Sequence, residues 1–239
     1  MFYPSPTIRV MVDASLKISG MIMRDYYELQ LLQNSRKSLN NFYDHLVQKA
    51  SYRLQEELLK ARPKFLTEIN DDTQGDFWVF NVLDGDKNFL HGLPYFAISI
   101  AHVHKSKTHK NIISGVVVVP ALKEMFCAEL DKGAWFERFD MQQNRLEKLQ
   151  LSGRKTKEEL LCAINHGDAN LSGLESRNFG SDAIALSYLS AGRVDAVILQ
   201  NYNYKDVAAG LLIAKQAGAI IDITDNNIIA STEYFKTLI

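Results

Sequence analysis

The hydrophobic period of the chain changes once, near residue 61, and this change limits the folds that the chain can adopt. Upstream, apolar residues recur every three or four positions over Pro6–Gln30 and again over Asn41–Ala61, which predicts two long amphipathic helices. The polar stretch Asn34–Asn41 predicts a loop between them, and Pro63 lies just past the second helix, where prolines are common. Downstream, short runs of β-branched and aromatic residues replace the helical period and predict strands.

The predicted strands fall into two groups. The first group consists of Phe77–Leu83, Tyr95–Val103, Asn111–Val119, Glu124–Leu130 and Ala134–Arg138. Its last two members flank Asp131-Lys132-Gly133, a good hairpin turn. The second group alternates with helices, in the order strand Leu160–Asn165, helix Ser181–Ala191, strand Ala196–Gln200, helix Lys205–Ala217 and strand Ala219–Ile223. This order predicts an α+β part followed by an α/β part.

A polar and charged stretch, Arg138–Arg154, separates the two groups, and we expect it to be a mobile surface segment or a seam. The chain has no long linker and no repeat. We therefore expect a single compact domain over residues 1–239 with two halves, an α+β half over about residues 1–140 and an α/β half over about residues 141–239.

Charge and composition exclude several classes of protein. The 239 residues carry 27 Lys and Arg against 28 Asp and Glu, and this balance argues against a protein that coats nucleic acid by bulk charge. Cys127 and Cys162 lack metal-ligand and disulfide spacing, so two buried thiols in a reducing compartment are expected. Neither a secretory signal nor an apolar run long enough for a bilayer is present, and we expect a cytoplasmic protein without a membrane partner.

The segment Trp78–Pro94, WVFNVLDGDKNFLHGLP, is the most unusual of the chain. An apolar strand ends at Leu83, and Asp84-Gly85-Asp86 follows at once. A carboxylate at a strand end, followed by Gly, is one way to place a metal ligand beside an anion site, because backbone N–H groups can then approach a phosphate. The alternative is a turn that uses Asp and Gly for their backbone preferences, and spacing alone favours the turn.

Two further segments carry similar chemistry. In Lys205–Gly210, Asp206 lies near a predicted helix start and is either a helix N-cap or a metal ligand. In Arg177–Asp182, the pair Gly180-Ser181 is either a cap or an anion-binding turn.

Taken together and in this order, these segments resemble the inositol monophosphatase family, including its bacterial extragenic suppressor branch. Trp78–Ile100 is similar to the first family motif, Asp-Pro-(Leu/Ile)-Asp-Gly-Thr, and Asp206–Asp222 to the second, which begins Trp-Asp-x-Ala-Ala-Gly. Gly115–Trp135 resembles the family's hairpin region. The resemblance covers about Ala61–Ile223. It implies a layered αβαβα sandwich, homodimers and Mg²⁺-dependent hydrolysis of small phosphate monoesters.

The first family motif is altered in this chain. The resemblance places Asn81 where the family has a metal-binding Asp, and Val82 where it has Pro, whose backbone carbonyl survives as a ligand. Asp84 and Gly85 are kept, as a metal ligand and a phosphate-binding residue. Asp86 replaces the Thr that helps to place the attacking water, so Asp84 and Asp86 are the catalytic candidates and Asp86 is a possible replacement ligand.

Other family positions are also altered. Ile69 stands where a metal-binding Glu is expected, and Glu68 could replace it only if the strand register slips by one residue. Asp206 is kept as a metal ligand, but Leu199 stands where a Glu contacts sugar hydroxyls. The resemblance also assigns substrate or phosphate binding to Gly85, Asp86, Gly180, Ser181 and Asp182. Asp182 adds a negative charge where a phosphorylated substrate would lie.

Three functions compete. The first is a family member with impaired or lost phosphatase activity and a binding or regulatory role, for which the suppressor branch implies a protein partner in transcription or RNA metabolism. The second is an active phosphomonoesterase for inositol-1-phosphate or a similar sugar phosphate, with Mg²⁺ on rearranged ligands such as Asp84, Asp86 and Asp206. Mg²⁺ is the cofactor if there is one. The third is a nucleic-acid-binding module built on the basic clusters at Lys105–Lys110 and Arg154–Lys157, although such clusters are usually solvated loops.

Overall fold

Two long helices open the chain. The computed structural model describes residues 5–32, 36–67, 73–139, 146–166 and 173–238. Helix α1 spans Pro6–Leu32, and α2 spans Arg36–Ala61 and ends just before Pro63, as predicted. The loop predicted over Asn34–Asn41 is wrong from Arg36 onward, where α2 has begun, and Asn34 and Ser35 lie outside the described residues. A polar stretch without Gly or Pro costs a helix little, so polarity alone does not mark a break.

Strands β1 to β6 form one antiparallel sheet in chain order. Their bounds are Gly75–Asp84, Ala97–Lys105, Lys110–Val119, Glu124–Glu129, Gly133–Arg138 and Glu147–Lys148. The β4–β5 hairpin turns at the predicted Asp131-Lys132-Gly133, where Asp131 has a φ of +60° and Gly133 a φ of +101°. Part of the predicted mobile segment is structured, since β6 pairs with β5 and Leu149 is buried. Residues 140–145 of that segment lie outside the described residues.

A second sheet has the strand order β10-β11-β9-β7-β8. Its strands are β7 Leu161–Ile164, β8 Glu175–Arg177, β9 Ala196–Gln200, β10 Ile220–Thr224 and β11 Asn227–Ser231. The remaining helices are α3 Asp86–Leu90, α4 Asp182–Ser190, α5 Tyr204–Gln216 and α6 Glu233–Lys236. Strand β7 pairs in parallel with β8 and β9, while β11 pairs antiparallel with β9 and β10, so the sheet is mixed and strands alternate with helices as predicted up to β10.

Apolar clusters bind the elements into layers. Helices α1 and α2 cover one face of the first sheet, where Ile22 and Trp78 belong to one cluster. Helices α4 and α5 lie between the two sheets, where Leu186 and Val197 belong to another. Phe235 of α6 covers the outer face of the second sheet. The layers are therefore helix, sheet, helix, sheet, helix, which confirms the predicted αβαβα sandwich.

A close approach of α5 to the first sheet sets the position of the site. Gly115 of β3 faces α5, and a Cβ atom on it would lie 3.0 Å from the Cα atom of Ala209. The absence of a side chain at Gly115 lets α5 lie this close to the first sheet, and the first turn of α5 reaches β1, where Asp206 meets Asn81. Asp206 lies in this first turn of α5, and Asp84 ends β1.

Three further predictions concern the chain as a whole. Cys127 and Cys162 are both free and buried, as predicted. No helix in the described part of the chain is long and apolar enough to cross a bilayer. The division into two halves stays a prediction.

Candidate functional site

Asp84 ends β1 at the point where α4 begins. Its carboxylate is buried, and Oδ2 accepts hydrogen bonds from Ser181 Oγ at 2.6 Å and from the Ala183 backbone N–H at 2.8 Å. Ser181 is also the N-cap of α4, since its Oγ accepts from the Ile184 N–H at 3.2 Å. The retained carboxylate therefore uses one oxygen to hold the start of α4.

A glycine turn follows Asp84 and joins the two parts of the chain. Gly85 has a φ of +94°, and a Cβ atom on it would lie 2.6 Å from the Tyr95 carbonyl oxygen. Asn88 Nδ2 donates to that carbonyl at 2.7 Å and to the Phe179 carbonyl at 2.6 Å. Gly180, with a φ of +68°, packs directly on the Asn88 side chain. The family-like residues Gly85, Asn88 and Gly180 thus form one structural unit.

Asn81 and Asp206 form a direct hydrogen bond, and we call the region of Asn81, Asp84, Asp86, Asp182 and Asp206 the cleft. Asn81 Nδ2 donates to Asp206 Oδ1 at 2.6 Å, while Asn81 Oδ1 accepts from the Leu83 backbone N–H at 3.0 Å. The Leu83 N–H fixes the amide orientation, because a flipped amide would turn its NH₂ group toward another donor. The family resemblance predicted only that Asn81 lacks a carboxylate usual at this position, and it did not indicate this donor role.

Asp206 is the third residue of α5 and not its N-cap. The cap is Asn203, whose side chain accepts from the Lys205 N–H at 3.1 Å. The N-cap interpretation of Asp206 is therefore wrong, and its side chain projects to Asn81 instead.

Asp86 and Asp182 are the two carboxylates that the sequence prediction added to the family pattern, and they differ in burial. Asp86 is exposed, and its Oδ1 accepts from the Lys87 N–H at 2.7 Å. Asp182 is half-buried at the start of α4 and accepts from Asn165 Nδ2 at 3.3 Å. Asn165 is a partner that no sequence pattern indicated.

Burial raises the pKa values of the carboxyl groups of Asp84, Asp182 and Asp206. Burial, with the charge of Asp206 adding to it, raises the pKa of Asp84 to about 8. Burial raises the pKa of Asp182 to about 6, and it also raises the pKa of Asp206, while the Asn81 hydrogen bond acts in the opposite direction. Burial, with the charge of Asp86 adding to it, raises the pKa of Tyr43 on α2 to about 12. Sequence reasoning assigned Tyr43 only to an apolar helix face.

The remaining predicted positions lie elsewhere or outside the described residues. The Val82 side chain is buried against α1 and α2, and a metal-binding role of its carbonyl stays a prediction. Leu199 is fully buried in the core between the sheets, so its side chain has no polar group for a sugar. Glu68 and Ile69 lie outside the described residues.

These residues fit Mg²⁺ poorly. In the described ranges, no three His, Cys, Asp or Glu side chains are grouped so that they could hold a metal ion. Mg²⁺ requires several oxygen ligands in nearly octahedral geometry. Here the Asn81 amide directs a donor at Asp206, and Asp84 Oδ2 accepts from two protein donors. No catalytic step through a metal follows from this arrangement.

The raised pKa of Asp84 predicts a pH dependence of stability. The pKa of this carboxyl is about 8 in the folded protein against an ordinary 3.8, so the folded state retains a proton that the unfolded state has lost. The free energy of unfolding should therefore fall as pH rises between these two values, by at most about 1.4 kcal/mol per pH unit for this group. Urea unfolding at about pH 6.5 and about pH 8 measures the fall, and Asp84→Asn should reduce it, with the raised pKa of Asp206 accounting for part of what remains. Equal stability of the wild type at both values would contradict the raised pKa.

Comparison with known proteins finds relatives that align with most of this chain. A family model described as "Inositol monophosphatase family" matches residues 4–234. An inositol-1-monophosphatase of Rhizobium meliloti is 33% identical over 229 residues, which cover 90% of this chain and 84% of the relative. The Nus factor SuhB of Pasteurella multocida is 28% identical, over 91% of this chain and 85% of that protein.

A solved structure shows the same likeness. The extragenic suppressor protein suhB from Bartonella henselae matches with a TM-score of 0.80 and 31% identity, over 99% of this chain and 97% of that chain.

Proposed function

The chain belongs to the inositol monophosphatase family, and we propose that its Mg²⁺-dependent phosphatase activity is strongly impaired or lost and that it has a binding or regulatory role. The Asn81–Asp206 hydrogen bond is the observation that carries this proposal. In the family pattern, a second carboxylate at position 81 would repel Asp206, and a cation would be needed between them. Here an amide donor supplies that stabilisation without a cation.

The alternative function is an active phosphomonoesterase for inositol-1-phosphate or a similar sugar phosphate with altered metal ligands. The retained Asp84–Gly85 turn and its contact with the start of α4 favour it. For Asn81 to offer its oxygen to a metal beside Asp206, however, the amide would have to flip. The Leu83 N–H would then lose its acceptor, and an unsatisfied buried donor costs about 1–3 kcal/mol.

The names of the relatives support the partner proposed here. Several carry the name Nus factor SuhB, among them those of Pasteurella multocida and Escherichia coli. We therefore propose a protein partner in transcription or RNA metabolism, a homodimeric state and a cytoplasmic location. A small phosphorylated metabolite is the ligand if activity survives.

A phosphatase assay with matched variants tests the proposal. The full chain is incubated with Mg²⁺ and inositol-1-phosphate, and separately with generic phosphate monoesters. We expect the wild type, Asp84→Asn and Asp206→Asn to show the same turnover, no higher than the background rate. Asp225→Asn, at an exposed turn, is the matched control. Turnover that both cleft variants abolish and the control retains would refute the loss of activity and support the alternative function.

A further inference from the structure

We propose a second ligand site, separate from the acidic cleft, that binds a small amphipathic anion: an apolar body with one carboxylate or phosphate head group. The site is a cavity of about 360 Å³ between the beginning of β3, the second half of α5 and the edge strand β10. Ligand pockets typically measure roughly 300–1,000 Å³. None of the cleft residues Asp84, Asp86, Asp182 or Asp206 lines it.

The floor of this cavity is apolar. Ile112 of β3, Leu130 of the β4–β5 hairpin, Leu211 of α5 and Ile221 of β10 contribute to it. These side chains are buried or half-buried and belong to the core between the sheets or pack against it. At the rim, Ile223 is 56% exposed although it is a large apolar residue. An apolar ligand body would remove this side chain from water, which is favourable in proportion to the area covered.

The charged groups of the lining have one sign. Lys110 and Lys215 line the cavity, and no Asp or Glu is among the described residues that line it. Two carboxylates adjacent in sequence to lining residues have partners outside the lining: Glu129 pairs with Lys132 through Oε1, with its buried Oε2 left without a hydrogen-bond partner among the described residues, and Asp222 pairs with Lys236. The charged residues of the lining are therefore two exposed lysines, whose side chains are long enough to turn an ammonium group toward a ligand.

Lys110 is held in place at the cavity without an anionic partner among the described residues. Its Nζ lies 3.5 Å from the centroid of the Tyr204 ring, a cation–π contact. Partial burial, and then the charge of Lys105 on the paired strand, lower the pKa of Lys110. Lys110 is exposed as a residue, and an anion beside it would offset the charge of Lys105 and form a charge-assisted hydrogen bond. The basic Lys105–Lys110 cluster of the sequence thus gains a role that does not require nucleic acid.

Calorimetric titration with octanoate and with octyl phosphate tests this site. Both probes have the proposed chemistry, and the tighter one identifies the preferred head group. We expect saturable binding of at least one, and about tenfold weaker binding to the double variant Lys110→Met/Lys215→Met, because a hydrogen bond to a charged group is lost. Octylammonium should not compete. The control is Lys49→Met/Lys64→Met, which removes two exposed lysines outside the cavity.

Amide NMR of the full chain gives a second readout that does not depend on a variant. Octanoate should shift the signals of residues such as Ile112, Leu211 and Ile221. Absence of saturable binding of both probes, equal affinity for wild type and double variant, or shifts around Asp84 and Asp206 instead would each overturn the proposal. None of these outcomes bears on phosphatase activity, so the two proposals fail independently.

Discussion

Replacing Asn81 with Asp should make the stability of this protein depend on Mg²⁺. The substitution removes the 2.6 Å hydrogen bond to Asp206 and sets a second carboxylate in its place. A hydrogen bond to a charged group contributes about 1.5–3 kcal/mol, and repulsion between the carboxylates adds to the loss. For a chain of this size we expect the melting temperature without divalent cations to fall by about 4–10 °C.

Mg²⁺ should restore much of this loss in Asn81→Asp and have little effect on the wild type. A cation between the two carboxylates stabilises the folded state by mass action, because it binds that state and not the unfolded chain. Thermal unfolding with EDTA and with millimolar Mg²⁺ measures the difference. Asn227→Asp, at an exposed position of β11, is the matched control and should respond to Mg²⁺ as the wild type does. If Mg²⁺ stabilises wild type and Asn81→Asp equally, the amide does not replace a cation.

Gly85→Ala should destabilise the fold more than any other single methyl addition in the cleft. The φ of +94° disfavours every residue with a side chain, and the new Cβ atom would lie 2.6 Å from a backbone oxygen that cannot move alone. Backbone strain of about 1–3 kcal/mol and overpacking of about 1–3 kcal/mol combine here. We expect a fall in melting temperature of about 6–15 °C.

A second glycine provides the control. Gly20 lies in α1, and a Cβ atom on it would meet nothing within 4 Å. Gly20→Ala should therefore raise stability, by up to about 1 kcal/mol, because Ala favours the helix. Urea unfolding of both variants in parallel measures the free energy of unfolding, which should fall in Gly85→Ala and rise in Gly20→Ala. A Gly85→Ala variant as stable as the wild type would show that the turn does not require glycine.

Most of the fold could be predicted from periodicity. The apolar stripes of α1 and α2, the antiparallel strands and the later alternation of strand and helix are local patterns, and each determines its element with little help from distant residues. The start of α2 could not be predicted in this way, because its first residues, Arg36-Lys37-Ser38, are polar and add nothing to the apolar period from which the helix was predicted. Strand β6 is only two residues long and carries no period.

The chemistry of the cleft could be predicted only in part. The family resemblance implied that Asn81 stands where a carboxylate is usual, but the consequence depends on Asp206, 125 residues away, and on the Leu83 N–H that orients the amide. The same holds for Ser181, whose cap role is local but whose bond to Asp84 spans 97 residues. Long-range partners of polar side chains leave no periodic signal, so they follow only from the folded arrangement.

Titration of the wild-type protein with Mg²⁺ by calorimetry tests the central claim most directly, namely that the Asn81 amide satisfies Asp206 in place of a metal. The folded chain should show no saturable binding at millimolar Mg²⁺, and Asp206→Asn should give the same trace. Saturable Mg²⁺ binding to the wild type that Asp206→Asn abolishes would contradict the account.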